Sequence, residues 1–309
     1  MNSKIKKLIK ILFKKEYRYN FLNSHGFSKY ICSEKLLKIR YESCMGRKLN
    51  LDSPKTYTEK LQWLKLYDHK DIYTTMVDKY EAKKFVAEKI GAEYIIPLLG
   101  VWEKAEDIDF DILPDEFVLK TTHDSGGYLI CTEKTKLDFG QVRERFEKLL
   151  KTNYYTGSRE WPYKNVKPRI IAEKHMEDKE DGELRDYKFF TFNGEPKVLY
   201  ITQGRGNGSK TVADFYDMDF NHLSFTIDHE MSKNPPHSPR NFELMKELAR
   251  KLSENTPQLR VDFYEVNGKV YFGEMTFFHC SGLVPFKPNE WDKKFGEWVV
   301  LPEKNYEKE

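Results

Sequence analysis

Apolar positions in this chain follow two rhythms, one of three to four residues and one of two. In Lys4–Lys15 the residues Ile5, Leu8, Ile9, Leu12 and Phe13 fall at helical spacing, with lysines on the other face. Residues 16–75 stay mostly helical, with a turn near Asp52-Ser53-Pro54 and a buried stripe at Leu61, Trp63 and Leu64. The spacing of Ala82, Phe85, Val86 and Ile90 predicts a helix over 78–90 that stops at Gly91. Strands are expected at 94–101, 116–121, 128–132 and 169–173, and a helix at 139–151 on Val142, Phe146, Leu149 and Leu150. Two further strands, 186–193 and 196–203, flank Asn193-Gly194. Ser238-Pro239 reads as the start of a helix whose face is Phe242, Met245, Leu248, Ala249 and Leu252. A hairpin of 259–266 and 269–277 follows. Helices mixed with antiparallel hairpins indicate an α+β fold rather than an alternating parallel sheet.

Composition narrows the class. At 309 residues the chain has room for two domains, or one with an extension. Aromatics at 15% exclude global disorder, and no apolar run approaches the ~18 residues of a membrane span. The 52 basic and 49 acidic residues give a net charge of +3, so a dedicated nucleic-acid binder is not expected. Six of the lysines, and no acid, lie in residues 1–15, so the basic balance belongs to that segment and the rest of the chain is slightly acidic. A basic amphipathic helix can lie on an anionic membrane surface or dock on its own domain, and both readings stand. No small-residue cleavage site follows it, so a secretory signal is not expected. Cys32, Cys44, Cys131 and Cys280 form no C-x-x-C pair, which fits free thiols in a reducing cytoplasm.

Several local patterns resemble sites without meeting their requirements. Gly204-Arg-Gly-Asn-Gly-Ser-Lys-Thr211 has a serine where a phosphate loop needs glycine next to lysine, and Val212–Tyr216 reads as strand, not helix. Asp217-Met218-Asp219 could hold the metal of a nucleotide-sugar glycosyltransferase, or simply shape a turn. The eight histidines contain no H-E-x-x-H.

Four elements in order carry more chemistry. Lys79 starts a helix. Lys120 ends a strand and leads into Thr-Thr-His123-Asp-Ser125-Gly126-Gly127, whose backbone N–H groups could close over phosphates. Glu173-Lys174-His-Met176, followed by Asp186-Tyr-Lys188, offers an extended hinge for a base edge and a lysine for phosphate. Arg260-Val-Asp262 and Glu274-Met-Thr276 put two carboxylates on paired strands, suited to Mg²⁺. Side chains alternate along a strand, so a two-residue turn at Asn267-Gly268 would set Asp262 opposite Gly273 and send Glu274 to the other face. A three-residue loop, Val266-Asn267-Gly268, is therefore expected, with Val261, Phe263, Tyr271 and Met275 facing the core.

Taken together, Asp78-Lys79, Phe117–Gly126, Ile171-Ala-Glu173, Asp186–Glu195, Phe215-Tyr-Asp217, Arg260–Tyr264 and Tyr271–Phe277 resemble the TupA-like ATP-grasp family of bacterial envelope-polysaccharide clusters. Pro54–Trp63 also looks like this family, and the similarity spans roughly residues 50–300. The resemblance implies two α+β lobes with antiparallel sheets around an ATP cleft. It divides the chain into a helical N-terminal extension at 1–75, a small lobe at 76–175 and a large lobe at 176–309. It implies a cytoplasmic ATP- and Mg²⁺-dependent ligase of capsule or cell-wall polysaccharide synthesis. Such an enzyme would join a carboxylate, such as a uronic acid, to an amine or amino acid, at the inner face of the membrane if residues 4–15 bind it. By position, Lys79 and Lys120 would meet the phosphates beneath His123, Ser125, Gly126 and Gly127. Glu173, Lys174 and Met176 would form the adenine hinge, with Asp186 alongside. Lys188 would face phosphate or ribose, Asp262 and Glu274 would bind Mg²⁺, and Arg260 would stabilise the acyl phosphate. Thr276 stands where many members have asparagine. The rival expectations are a metal-dependent glycosyltransferase using Asp217 and Asp219, and a non-enzymatic membrane-surface scaffold.

Overall fold

A computed structural model describes residues 27–178, 184–204 and 210–306. The basic segment 4–15 and most of the Gly204–Thr211 loop lie outside these residues. Two antiparallel sheets organise the described residues. The smaller has the order β1-β4-β2-β3, from β1 (Leu98–Trp102), β2 (Phe117–Thr121), β3 (Tyr128–Cys131) and β4 (Ile170–Lys174). The larger has the order β10-β9-β5-β6-β7-β8, from β5 (Asp186–Phe192), β6 (Glu195–Gln203), β7 (Val212–Tyr216), β8 (His222–Leu223), β9 (Gln258–Val266) and β10 (Lys269–Thr276).

Each sheet has its own core. Phe117, Leu119, Ile170 and Ala172 of the small sheet pack with Val142 and Phe146 of α5 (Phe139–Leu150). The larger core gathers β5, β6, β9 and β10 with the N-terminal helices α1 (Ser33–Met45), α2 (Tyr57–Tyr67), α3 (Asp71–Val77) and α4 (Glu81–Ile90). Helix α2 is set by a capping box. Thr56 Oγ1 accepts from the Glu59 amide, and Glu59 Oε2 accepts from the Thr56 amide at 3.1 Å. Its Tyr57 ring meets Phe192, Phe286 and Phe295 edge-on. The buried Asp292 of α8 (Glu290–Trp298) accepts from the Thr58 amide at 2.9 Å and from Arg47 at 2.6 Å, fastening the chain's end onto α2. The N-terminal helices thus share the large sheet's core.

Three boundaries differ from the sequence reading. The strand expected at 94–101 begins only at Leu98, after a 3-10 turn at Ala92–Tyr94. Helix α7 (Phe242–Leu252) begins three residues after Pro239, because Glu265 of β9 accepts from the Arg240 and Asn241 amides at 3.0 Å. Its buried face, Phe242, Met245, Leu248, Ala249 and Leu252, is the one the periodicity indicates. The 78–90 helix is preceded by a separate short α3, and α4 begins at Glu81, with Asp78 Oδ1 accepting from the Tyr80 amide at 2.9 Å. Among the described residues no helix is long and apolar enough to cross a membrane.

Candidate active site

The β9–β10 hairpin departs from expectation in an informative way. Val266 pairs with Lys269, so the turn is the two-residue Asn267-Gly268, with φ of 49° and 75°. That turn alone would separate the two acids. A register shift between Phe272 and Glu274 reverses the parity, and Glu274 pairs directly with Asp262. The three-residue loop is therefore corrected to a tight turn plus a bulge at Gly273. Phe272, not Tyr271, joins Val261, Phe263 and Met275 in the core.

Register brings the large-sheet residues together. Lys188 of β5 pairs with Asp262 of β9. Its Nζ lies 2.9 Å from Asp262 Oδ2 and 3.0 Å from Asp186 Oδ2. Arg260 donates through Nε and Nη2 to the two Asp262 oxygens, 2.7 Å each, and through Nη2 to Glu274 Oε1, also 2.7 Å. Its remaining amino group, Nη1, donates to His279 Nδ1 at 2.7 Å. Burial disfavours the guanidinium charge, but Asp262 and Glu274 outweigh it and hold the arginine firmly protonated. Asp262 is buried, whereas the Glu274 side chain is 47% exposed. Two carboxylate oxygens accept from one guanidinium nitrogen here, and one of the two carboxylates is open to solvent. That donor set fits a hard divalent cation bound in exchange for part of the arginine contact.

The small sheet contributes a different surface. Lys120 pairs with Tyr128 and Ile171, and Val118 with Ile130 and Glu173, so all six share one face. A register shift in β1 places Leu98 opposite Glu173 and Val101 opposite Ile171, on the same face. Leu98 and Val101 are each 38% exposed, Tyr128 52% and Ile130 53%, forming a half-exposed apolar field around two charged groups. Glu173 Oε2 lies 2.6 Å from Lys120 and Oε1 lies 2.5 Å from Lys83. Burial works to raise the Glu173 carboxyl's pKa, yet the two lysines overcome it and hold it below the usual range. The Lys174 amide donates to Pro97 O at 3.0 Å, Lys174 is exposed, and Met176 is half-buried.

The connecting loop is latched from within. Thr121 Oγ1 donates to Asp124 Oδ1 at 2.5 Å, and Lys79 Nζ donates to the Asp124 carbonyl. A Cβ on Gly127 would sit 2.0 Å from Thr121 Oγ1, so only glycine fits. Gly126 and Ser125 are exposed, whereas His123 is buried with Nε2 3.3 Å from Leu149 O at the end of α5. Lys79 lies within electrostatic reach of Asp124, Glu274 and Lys120, and so links loop, large sheet and small sheet.

Three groups escaped the sequence reading. Lys83 lies four residues after Lys79, which in the expected 78–90 helix puts both on one face and could have flagged it. His279 and the buried pair Lys65 and Glu160 carry no motif. Burial lowers the Lys65 ammonium to about 7, against the pull of Glu160, and pushes the Glu160 carboxyl up. Asp217 accepts from the Asp219 and Asn221 amides at 3.0 and 2.8 Å and from Asn221 Nδ2 at 3.0 Å, so its carboxylate closes its own turn.

Two antiparallel sheets, one carrying Lys120 and Glu173 and the other Lys188, Arg260, Asp262 and Glu274, with Lys79 in reach of both, form the arrangement of the ATP-grasp class. The TupA-like ATP-grasp family profile matches residues 59–300, and the chain belongs to that family. Solved structures with a similar fold include D-alanine–D-alanine ligase from Helicobacter pylori, at 15% identity and TM-score 0.45, covering 81% of this chain and 68% of that one. The Bacillus anthracis enzyme, complexed with ATP, is 16% identical with TM-score 0.40, over 66% of this chain and 55% of that one. N5-carboxyaminoimidazole ribonucleotide synthetase from Thermus thermophilus is 12% identical with TM-score 0.41, over 71% and 51%. The chain thus spans little more than half the length of two of these relatives. No curated protein sequence matches it.

Proposed function

We propose that this protein is an ATP- and Mg²⁺-dependent ligase that joins a carboxylate to an amine through an acyl phosphate. The observation that carries this reading is the convergence of Lys188, Asp262, Glu274 and Arg260 on one patch, within electrostatic reach of Lys79. In this reading the apolar face of Leu98, Val101, Val118 and Ile130 takes the adenine ring, and Lys79 and Lys120 neutralise the phosphates. Because the Lys174 amide is already bonded, contact with the base edge falls to the residues that follow it, as far as Met176. The Ser125-Gly126-Gly127 backbone covers the phosphates, while His123 anchors the loop to α5. Asp262 and Glu274 would hold Mg²⁺, which would supply charge neutralisation of the phosphates.

The substrate carboxylate oxygen bonds to the γ-phosphorus as the bond to the β-phosphate oxygen breaks, releasing ADP. The amine nitrogen then attacks the acyl carbon, the carbon–oxygen bond to phosphate breaks, and the amine's surplus proton leaves with phosphate or solvent. Arg260 stabilises the charge that develops on the acyl phosphate and the tetrahedral intermediate through its planar fork of donors. We further propose that the carboxylate belongs to a uronic acid of an envelope or capsular polysaccharide and that the work is done in the cytoplasm.

The test is acyl-phosphate trapping. Protein, Mg·ATP and hydroxylamine are incubated with glucuronate or galacturonate, and ADP and hydroxamate are measured. Equal yields of both support the reading. Consumption of a UDP-sugar with no ATP cleavage would sink it in favour of a glycosyltransferase.

A further inference from the structure

The turn that follows β10 is strained. Cys280, Ser281 and Gly282 have φ of 48°, 56° and 63°, three consecutive residues in the left-handed region. Non-glycine residues seldom occupy it, and runs of it persist only where surroundings enforce them. Helix α2 supplies the enforcement. Buried Gln62 donates to the Ser281 and Gly282 carbonyls at 3.0 and 3.1 Å. Buried Lys65 donates to the Ser281 carbonyl at 2.9 Å and hydroxyl at 2.7 Å. A Cβ on Gly282 would meet Gln62 Nε2 at 2.6 Å and Leu61 Cβ at 2.9 Å, so the turn is seated directly on the helix.

His279 heads this turn. Arginine can only donate, so the Arg260 Nη1 contact makes His279 Nδ1 an acceptor and puts the ring proton on Nε2. Nε2 faces the Cys280 sulfur at 3.5 Å. Phe190 and Tyr200 pack edge-on against the ring and fix its plane. Asp228, His279 and Cys280 bring ligand atoms within 4.8 Å of one another, a grouping that suggests a metal. The proton placement argues otherwise, since Nε2 carries hydrogen, and burial pushes the Cys280 thiol up to about 12, away from thiolate.

We propose that His279 is a positioning residue for Arg260, held in place by the strained turn that Gln62 and Lys65 pin. Arg260 is shared between His279 on Nη1 and the acids on Nε and Nη2. His279 holds one arm of the guanidinium back, so that Mg²⁺ can enter between Asp262 and Glu274 while Arg260 stays beside them. This rests on the assignment of those two acids as Mg²⁺ ligands.

The experiment measures the Mg²⁺ concentration that gives half the ATP-induced thermal shift of the full chain. Loss of one charge-assisted hydrogen bond should raise it about tenfold in His279→Leu. His279→Asn, which keeps an oxygen acceptor, should stay near wild type. Gln62→Leu should move it in the same direction by less. In an Arg260→Lys background His279→Leu should add nothing, which a general packing defect would not reproduce. An unchanged half-point in His279→Leu, or an equal rise in the Arg260→Lys background, overturns the proposal. Should His279→Leu not fold, ¹⁵N NMR of the wild-type ring decides, since an Nδ1–H tautomer is incompatible with the proposed bond. A wild type that binds Mg·ATP but traps no acyl phosphate loses only the ligase reading. One that shows no Mg·ATP shift loses both.

Discussion

The two sheets use charge in opposite ways. On the large sheet Lys188, Arg260, Asp262 and His279 are buried and bonded to one another, so each group's position is set by the others. On the small sheet one buried carboxylate, Glu173, is shared by Lys120 of β2 and Lys83 of α4, and the rest of that face is half-exposed hydrocarbon. A closed network of this kind holds its geometry before any ligand arrives, at the cost of large penalties when a member is lost. An open apolar face with a single tether tolerates change and adapts to a flat ligand. In the proposed ligase, chemistry is positioned on the large sheet and the small sheet mainly grips.

That contrast can be broken by mutation. Asp262→Asn removes the charge that neutralises two buried cations and should cost about 3–5 kcal/mol of unfolding free energy. Urea denaturation would measure it, and a loss under 1 kcal/mol would mean the network is not the stabilising unit described. Glu173→Gln should cost less, about 1.5–3 kcal/mol at neutral pH, because its lysines are partly exposed. Its folded pKa is depressed, so its contribution is full above the unfolded carboxyl pKa of about 4.3 and fades as pH falls through the folded value. Melting curves of wild type and variant should therefore converge toward low pH. Lys120→Ala should leave the fold intact and weaken Mg·ATP binding about tenfold by calorimetry, one charge-assisted contact's worth. Ile130→Ser should change stability by no more than about 0.5 kcal/mol and weaken ATP only a few-fold. If it abolished binding, the small sheet would be as exacting as the large one. Asp219→Asn should alter neither stability nor nucleotide binding.

Much of this was legible in local pattern. The strands β2, β4, β5, β6 and β9 fall within a residue or two of their expected bounds, because each combines alternating or continuous apolar runs with clear turn residues. Lys188, Arg260, Asp262 and Glu274 were named from order and spacing, and the structure brings them into one network. The hairpin geometry was only half legible. Asn267-Gly268 specifies its own two-residue turn, and a glycine inside a strand, Gly273, is a bulge signal, but that the register shifts there shows only in the pairing of β10 with β9. His123 looked like a phosphate-loop residue, yet it turns into the protein against α5, because burial beside Leu149 outweighs its place in the motif. His279 lies in a stretch without a motif, and the turn that holds it is pinned by helix α2, more than 200 residues earlier in the chain.

Sequence alone determined the α+β class, most strand positions, the family resemblance and the identity of the charged residues, since these follow from short-range periodicity and residue chemistry. Only the tertiary structure decided which charges neutralise which. It decided that a bulge rather than a longer loop sets Asp262 beside Glu274. It also decided that the N-terminal helices reach the site through a strained turn. Those outcomes depend on contacts between segments far apart in the chain, where packing and the need to pair every buried charge choose among arrangements that local sequence leaves equal.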